Sequence, residues 1–288
     1  PKEYDEDIRS ISQSQIQLYK DCERMWYMKY WLGVSQEIRD DSYLRFGRSC
    51  HTILEHFYEN IDMDMAKQDS VSHFEYILNK ILFVKHWDFS LKENMKNDAE
   101  QIFRDFAYVF GSRFNELVAS KQEHLFFPVS VEDDIKSTTH PLRAIIDRIN
   151  PGYKTFGDYK TNKKFPEILL ADTKLLNREQ INEYNIVSEP YAIQAAINAM
   201  CIYDKYKVMP ERCLFIFIRH LTQPHGGIVT IPITQNLIDQ VTTYVNRIFT
   251  SVKEHNFKKN TNTTRCIDFG GCPYTTACDA MDLCIVDL

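Results

Sequence analysis

The sequence predicts an α/β protein in which helices flank a mixed central sheet, with a helical region before the sheet and a cysteine-rich segment after it. Helical periodicity dominates about the first 120 residues, and strand-like apolar runs then alternate with helices up to about residue 257. Hydrophobic residues make up 44% of the 288 residues, which is enough for a packed core. The order of helices, three strands, helix, two strands and helix is typical of a layered α/β core.

Helical periodicity recurs four times near the start of the chain, at residues 12–31, 46–60, 71–84 and 98–120. Ser12 or Ser14 can cap the first helix, because a serine oxygen accepts a backbone hydrogen bond at that position. Gly33 is suited to ending it, since glycine adopts the left-handed conformation at little cost. Ile53 and Phe57 lie on the apolar face of the second helix.

Three strand-like runs follow, at residues 125–131, 142–149 and 153–159, and they predict an antiparallel meander. The sequence Asn150-Pro151-Gly152 supplies a tight turn between the last two.

The remaining elements are one helix, two strands and a final helix. The first of these helices is predicted to begin at Ser188 or Glu189, with Pro190 in its first turn, and to run to about residue 206. Strands are predicted at residues 213–219 and 227–233, and the last helix at residues 234–255. We therefore expect one compact unit in three parts: a mainly helical region at residues 1–120, a core at 121–257 and a cysteine-bearing segment at 258–288.

The charge and hydropathy of the chain exclude few classes of protein. No apolar run approaches the ~20 residues that cross a bilayer, and the acidic N-terminus has no apolar signal core, so we expect a cytoplasmic protein with no membrane partner. The formal net charge of −6 argues weakly against a general nucleic-acid coat protein. It leaves room for a local basic groove, for which Lys160, Lys163 and Lys164 are one candidate cluster and a solvated loop is the alternative.

Two carboxylates and one ammonium fall on the predicted hairpin. Asp147 lies in the first strand, and Asp158 and Lys160 lie two residues apart in the second, on the same face. Carboxylates hold Mg²⁺ or Mn²⁺, and an adjacent lysine can position an attacking water, as phosphodiester hydrolysis requires. An Asp-x-Lys triplet on its own is more often a surface ion pair.

Four of the eight cysteines fall within the last 23 residues, namely Cys266, Cys272, Cys278 and Cys284. In an intracellular chain of this size, such a cluster indicates a metal rather than disulfides. Cys50, Cys201 and Cys213 lie in apolar periodic segments and are expected in the core.

A series of ordered motifs spans nearly the whole chain. It consists of Ser10-Ile11-Ser12, Cys22-Glu23-Arg24-Met25-Trp26-Tyr27, Gly47-x3-His51-x3-Glu55, Glu132, the strand containing Asp147, and Gly157-Asp158-Tyr159-Lys160-Thr161. With these motifs the chain resembles the PD-(D/E)XK nuclease superfamily. Within it, the chain is most similar to the RecB-like iron-sulfur exonucleases of the CRISPR-adaptation, AddB and phage types. The resemblance implies a restriction-endonuclease-like core.

The resemblance also implies an active site. Mg²⁺ or Mn²⁺ would be held by His51, Asp147, Asp158 and the backbone carbonyl of Tyr159. Lys160 would act on the water or the developing charge, and Gln194, on the following helix, would complete the catalytic set with Asp147 and Asp158. Glu55 is expected to support His51 from one helical turn away. Tyr191 is a candidate for the role of a tyrosine that relatives have where Asn198 stands.

The cysteines would hold an iron-sulfur cluster, since relatives of this type pair one cysteine near the N-terminus with three near the C-terminus. Cys22, Cys266, Cys272 and Cys278 fit this pattern best, for a four-iron cluster, and Cys284 is the reserve ligand. Zinc on the same thiolates is the alternative.

By this resemblance the chain is a metal-dependent DNA exonuclease. Its expected substrate is single-stranded DNA or DNA with free ends, in recombination, replication or end processing in a bacterial, archaeal or virus-infected cell. A helicase or recombination partner is expected for unwinding, because the chain has no Walker A pattern. The alternatives are a CRISPR spacer-processing nuclease and a non-catalytic subunit that binds DNA ends. The sequence gives no oligomeric state.

Overall fold

A five-stranded sheet lies at the centre of the protein, between two helical layers. This computed structural model describes residues 10–35, 41–165, 189–224, 226–260 and 272–279. The strands are β1 (Ser130–Lys136), β2 (Arg143–Ile149), β3 (Thr155–Lys160), β4 (Arg212–Phe217) and β5 (Ile228–Pro232). They lie side by side in chain order, and the β3–β4 pair is parallel while the other pairs are antiparallel. The prediction of a mixed sheet flanked by helices is confirmed.

The described helices come mostly before the sheet. They are α1 (Gln13–Asp21), α2 (Glu23–Trp26), α3 (Ser42–Phe57), α4 (Met63–Gln68), α5 (Ser70–Tyr76), α6 (Phe83–His86), α7 (Glu93–Ala119), α8 (Glu189–Tyr206) and α9 (Gln235–Lys253). Short π-helical turns follow α2 and α5, at Tyr27–Trp31 and Ile77–Leu82. Within the described ranges, no helix is long and apolar enough to cross a membrane.

Two apolar cores hold these layers together. One face of the sheet packs against α1, α8 and α9, with buried side chains such as Ile16, Ile197 and Val241. The other face packs against α3, α5 and α7, and Tyr159 of β3 lies in that second core. Because both faces of β3 are covered, the residues near its carboxyl end are brought against helices on both sides.

The first predicted helix is interrupted at Cys22. This residue is extended, with φ −165° and ψ 114°, and it ends α1 and precedes α2. The chain changes direction there, although the helical periodicity continues through the break. Gly33, with φ +64°, follows the π-helical turn as expected for a helix-ending glycine.

The first strand begins later than the predicted range 125–131, at Ser130. A 3-10 turn occupies Glu123–Leu125, and Phe126, only 4% exposed, packs into the helical core instead of pairing in the sheet. The strand starts after Pro128, at the polar sequence Ser130–Lys136. As an edge strand with partly exposed side chains, β1 tolerates charged residues that would be costly in the middle of a sheet.

Ion pairs and hydrogen bonds fix α8 to the end of β1. Asp133, 9% exposed, accepts hydrogen bonds from Lys205 Nζ and Tyr206 Oη, both at 2.6 Å. Asp204 accepts from the hydroxyls of Ser137 and Thr139, just beyond β1. These contacts set the position of α8 across the sheet.

Candidate active site

Three side chains from separate elements converge at one edge of the sheet. His51 comes from α3, Glu132 from β1 and Asp147 from β2, and one ligand atom from each lies within 4.8 Å of the others. The Nδ1 atom of His51 is 3.3 Å from Asp147 Oδ1 and 3.7 Å from Glu132 Oε1. Two carboxylates with one imidazole form a donor set suited to a divalent cation. In the described part of the chain this is the only group of histidine, cysteine, aspartate and glutamate side chains with that spacing.

Glu132 reaches this cluster from an unusual backbone conformation. The pairs on either side of it, Val131 with Arg148 and Asp133 with Ile146, place it opposite Asp147. Its φ is +44°, in the left-handed region that residues other than glycine rarely adopt, at a cost of ~1–3 kcal/mol. By sequence, Glu132 matches a family motif but has no assigned metal-binding role. A strand pattern does not reveal the positive φ from which its side chain reaches this cluster.

A second group lies at the carboxyl end of β3. Lys160 Nζ is 2.6 Å from Asp158 Oδ2 and donates to Gln194 Oε1 at 2.9 Å, and Gln194 Nε2 donates in turn to Asp158 Oδ1 at 2.5 Å. Gln194 comes from α8. The three side chains therefore form a closed ring of contacts between the sheet and α8.

Aromatic rings enclose the ammonium of this group. The Nζ atom of Lys160 lies 5.6 Å from the ring centre of Tyr191 and 5.2 Å from that of Phe215. The side chain of Lys160 is 18% exposed and that of Asp158 only 4%. Burial alone would lower the pKa of Lys160, but the charge of Asp158 and its hydrogen bond raise it, so the ammonium stays charged at neutral pH.

The cluster charges alter each other's pKa values. Burial alone disfavours the imidazolium of His51, but the charge of Asp147 and hydrogen bonds to Asp147 and Glu132 raise the pKa of His51 to about 10. Burial, reinforced by repulsion from Asp158, raises the pKa of Asp147 to about 6. A metal ligand must be deprotonated, so cation binding here is coupled to release of the His51 proton.

The backbone of Tyr159 joins the two groups. Its N–H donates to Asp147 Oδ2 at 2.5 Å, while its side-chain hydroxyl, on the other side of β3, lies 3.0 Å from that of Tyr58. The predicted role of the Tyr159 carbonyl as a metal ligand stays a prediction. The support of His51 by Glu55 also stays a prediction, since the Glu55 side chain has no hydrogen-bond or ion-pair partner among the described residues.

The predicted ligands Cys272 and Cys278 pack against the start of the chain. Both contact a small cluster that includes Met25 and Met28, next to α2. Arg24 Nη1 lies 3.8 Å from Cys278 Sγ, so the C-terminal segment touches the helix that Cys22 precedes. Cys266 and Cys284 lie outside the described residues.

The arrangement can be compared with known proteins. The PD-(D/E)XK nuclease superfamily matches residues 10–279 of this chain. No curated protein matches the sequence. Among solved structures, the crystal structure of a "Putative exonuclease" from Eubacterium rectale shares 14% sequence identity with a TM-score of 0.49, covering 88% of this chain and 85% of that one. Because the family match covers nearly the whole chain, the protein belongs to the PD-(D/E)XK nuclease superfamily.

Proposed function

We propose that this protein is a metal-dependent DNA exonuclease that acts on single-stranded ends during recombination, replication or end processing. The observation that supports this best is the meeting of His51, Glu132 and Asp147 beside the Asp158–Lys160–Gln194 ring. Phosphodiester hydrolysis requires a cation that polarises the phosphate and the water, and a positive group that stabilises the developing charge. The acidic cation site and the buried ammonium beside it meet these two requirements. A subunit that only binds DNA has no need for either.

His51, Glu132 and Asp147 would hold Mg²⁺ or Mn²⁺, with Asp158 as the ligand that the family pattern adds. When bound, the cation supplies Lewis-acid polarisation of the phosphate and eases deprotonation of water. Lys160 then donates a hydrogen bond to the attacking water or to a phosphate oxygen and offsets the negative charge that develops there. Gln194 holds both Lys160 and Asp158, which fixes the direction of the ammonium.

The direct test is digestion of single- and double-stranded oligonucleotides labelled at one end. With Mg²⁺ or Mn²⁺ we expect stepwise shortening from a free end of the single strand, and no products in EDTA. Circular single-stranded DNA is the matched control, since an exonuclease needs an end. Absence of cleavage with either metal would refute the proposal, and cleavage of the circle would replace exonuclease by endonuclease action.

We further propose that Cys22, Cys272 and Cys278, with Cys266 or Cys284, hold an iron-sulfur cluster. The proposal is supported by the packing of the Cys272–Cys278 segment against α2. Four thiolates hold a four-iron cluster, and tetrahedral zinc on the same thiolates is the alternative that iron analysis distinguishes. Such a cluster would join the chain ends and act structurally.

Iron analysis of anaerobically purified protein tests this second proposal. We expect about four irons per chain and visible absorption at ~400 nm, and loss of both on Cys278→Ser. Cys50→Ala is the matched control, because Cys50 is fully buried in the helical core and should leave the iron content unchanged. Stoichiometric zinc without iron, or unaltered iron in the Cys278 variant, would contradict the assignment.

A further inference from the structure

A cleft of about 500 Å³ opens just beyond the carboxyl end of β3. Its lining includes Lys163, Arg219, His220, Asp98 and Gln223. Lys163 comes three residues after Lys160 in the chain, and the backbone N–H of Ile218, next to Arg219, donates to the carbonyl of Lys160.

The wall of the cleft is tied to the helix that carries His51. A Cβ atom on Gly47, one turn before His51 in α3, would lie 3.4 Å from the Oγ1 of Thr161. Phe46 of the same turn lies under the guanidinium of Arg219, with 4.5 Å between Cζ and the ring centre. The helix that carries His51 therefore contacts Arg219 in the lining of the cleft.

The formal charge of the cleft lining is positive, with Lys163 and Arg219 against Asp98. Arg219 is held in place, since its Nε donates to the Thr161 carbonyl at 2.8 Å and its Nη1 lies 3.0 Å from Asp98 Oδ2. His220 Nε2 is 3.1 Å from the carbonyl of Asn162. Asp98 thus forms an ion pair with Arg219. Lys163 has no carboxylate partner in the described ranges of the chain. The cleft is consequently suited to an anion.

An exposed aromatic ring lies beside Lys163 of the cleft. Tyr43, in the first turn of α3, is 61% exposed, and Lys163 Nζ lies 5.6 Å from its ring centre. Leu44, next to it, is 66% exposed. An exposed aromatic side chain beside a lysine is the combination that binds single-stranded nucleic acid, since unpaired bases stack on the ring while the cation contacts the phosphate.

We propose that this cleft binds the unpaired DNA strand next to the bond that is cut. A backbone phosphate contacts Lys163 within the cleft, and the adjoining unpaired base stacks on Tyr43. In a duplex the base faces are already stacked on their neighbours, so the ring favours single strands. The inference rests on the proposed nuclease function and deepens it, by assigning to named residues the preference for unpaired substrate.

The test measures binding of a fluorescein-labelled oligothymidylate to full-length protein that carries Lys160→Ala to stop cleavage. Adding Tyr43→Ala is expected to weaken binding about fivefold or more. Adding Lys163→Ala is expected to weaken it and to lower the slope of log affinity against log salt by about 0.7. The matched controls are Tyr108→Ala and Lys154→Ala. Tyr108 is 59% exposed on α7, and Lys154, whose side chain is 65% exposed, comes just before the first residue of β3. Neither control should change the affinity.

Cleavage by protein with an intact Lys160, assayed on the same oligonucleotide, separates the possible failures. If that protein neither binds nor cleaves, the proposed function fails together with this inference. If it cleaves while the Tyr43 and Lys163 variants bind like their parent, only the inference is overturned. The same holds if Tyr43→Ala weakens binding of a blunt duplex as much as that of the single strand.

Discussion

Replacing Lys160 by methionine is expected to reduce the rate of DNA cleavage by about 10²–10³-fold, the loss typical of removing one donor to a charge that develops in the transition state. Methionine keeps most of the apolar stem between Tyr191 and Phe215 but removes the ammonium. The hydrogen-bonded ring with Asp158 and Gln194 then loses its only cation. Single-turnover cleavage with saturating metal, alongside urea denaturation of the same preparation, measures the effect.

A second lysine forms a similar ion pair outside the candidate site and serves as the control. Lys205, on α8, makes a 2.6 Å ion pair with the buried Asp133, the same distance that joins Lys160 to Asp158. Lys205→Met removes a lysine from a buried aspartate outside the candidate site, while Tyr206 Oη still donates to Asp133 and joins α8 to β1. We therefore expect this variant to cleave at the parent rate. Cleavage by Lys160→Met at the parent rate would reduce Lys160 to a structural ion pair and remove the chemical basis of the proposal.

Much of this site was predictable because its residues come from elements with strong local signals. Asp158 and Lys160 alternate along a strand, and the turn at Asn150-Pro151-Gly152 marks the hairpin that brings β2 beside β3. His51 falls on a helix with a clear apolar face. The order of the motifs along the chain was sufficient to group these residues into one site. The spacing between the motifs does not show that α3 lies beside Asp147.

Glu132 and the first strand show where local signals fail. The run Val131 to Asp134 has the composition of a loop, and β1 forms because its backbone pairs with β2, a contact between residues distant in sequence. Residues 125–131 have a strand-like composition, but Phe126 packs against Phe74 and Phe114 in the helical core. Tertiary packing overrides β propensity in both cases.

Arg148→Ala is expected to lower the free energy of unfolding by about 3–5 kcal/mol, because it empties a large buried site and removes a donor from several polar groups. Arg148 follows Asp147 on β2 and is 8% exposed. Its Nη1 donates to the Tyr58 hydroxyl at 2.5 Å and its Nε to Asn150 Oδ1 at 3.0 Å, and its guanidinium lies 5.1 Å from the centre of the Tyr58 ring. Gly157 leaves room for it, since a Cβ there would lie 2.9 Å from Arg148 Cγ.

The same strand contains the control for this substitution. Arg143 forms two hydrogen bonds with Asp134, but both side chains are 44% exposed, so Arg143→Ala should cost no more than about 1 kcal/mol. Urea denaturation of the two variants measures the difference. Because Tyr58 links Arg148 to Tyr159, whose N–H holds Asp147, the Arg148 variant should also bind divalent cations more weakly in the fraction that remains folded. Equal stability of the two variants would show that the buried guanidinium is replaceable by water and that the aromatic core alone braces β3.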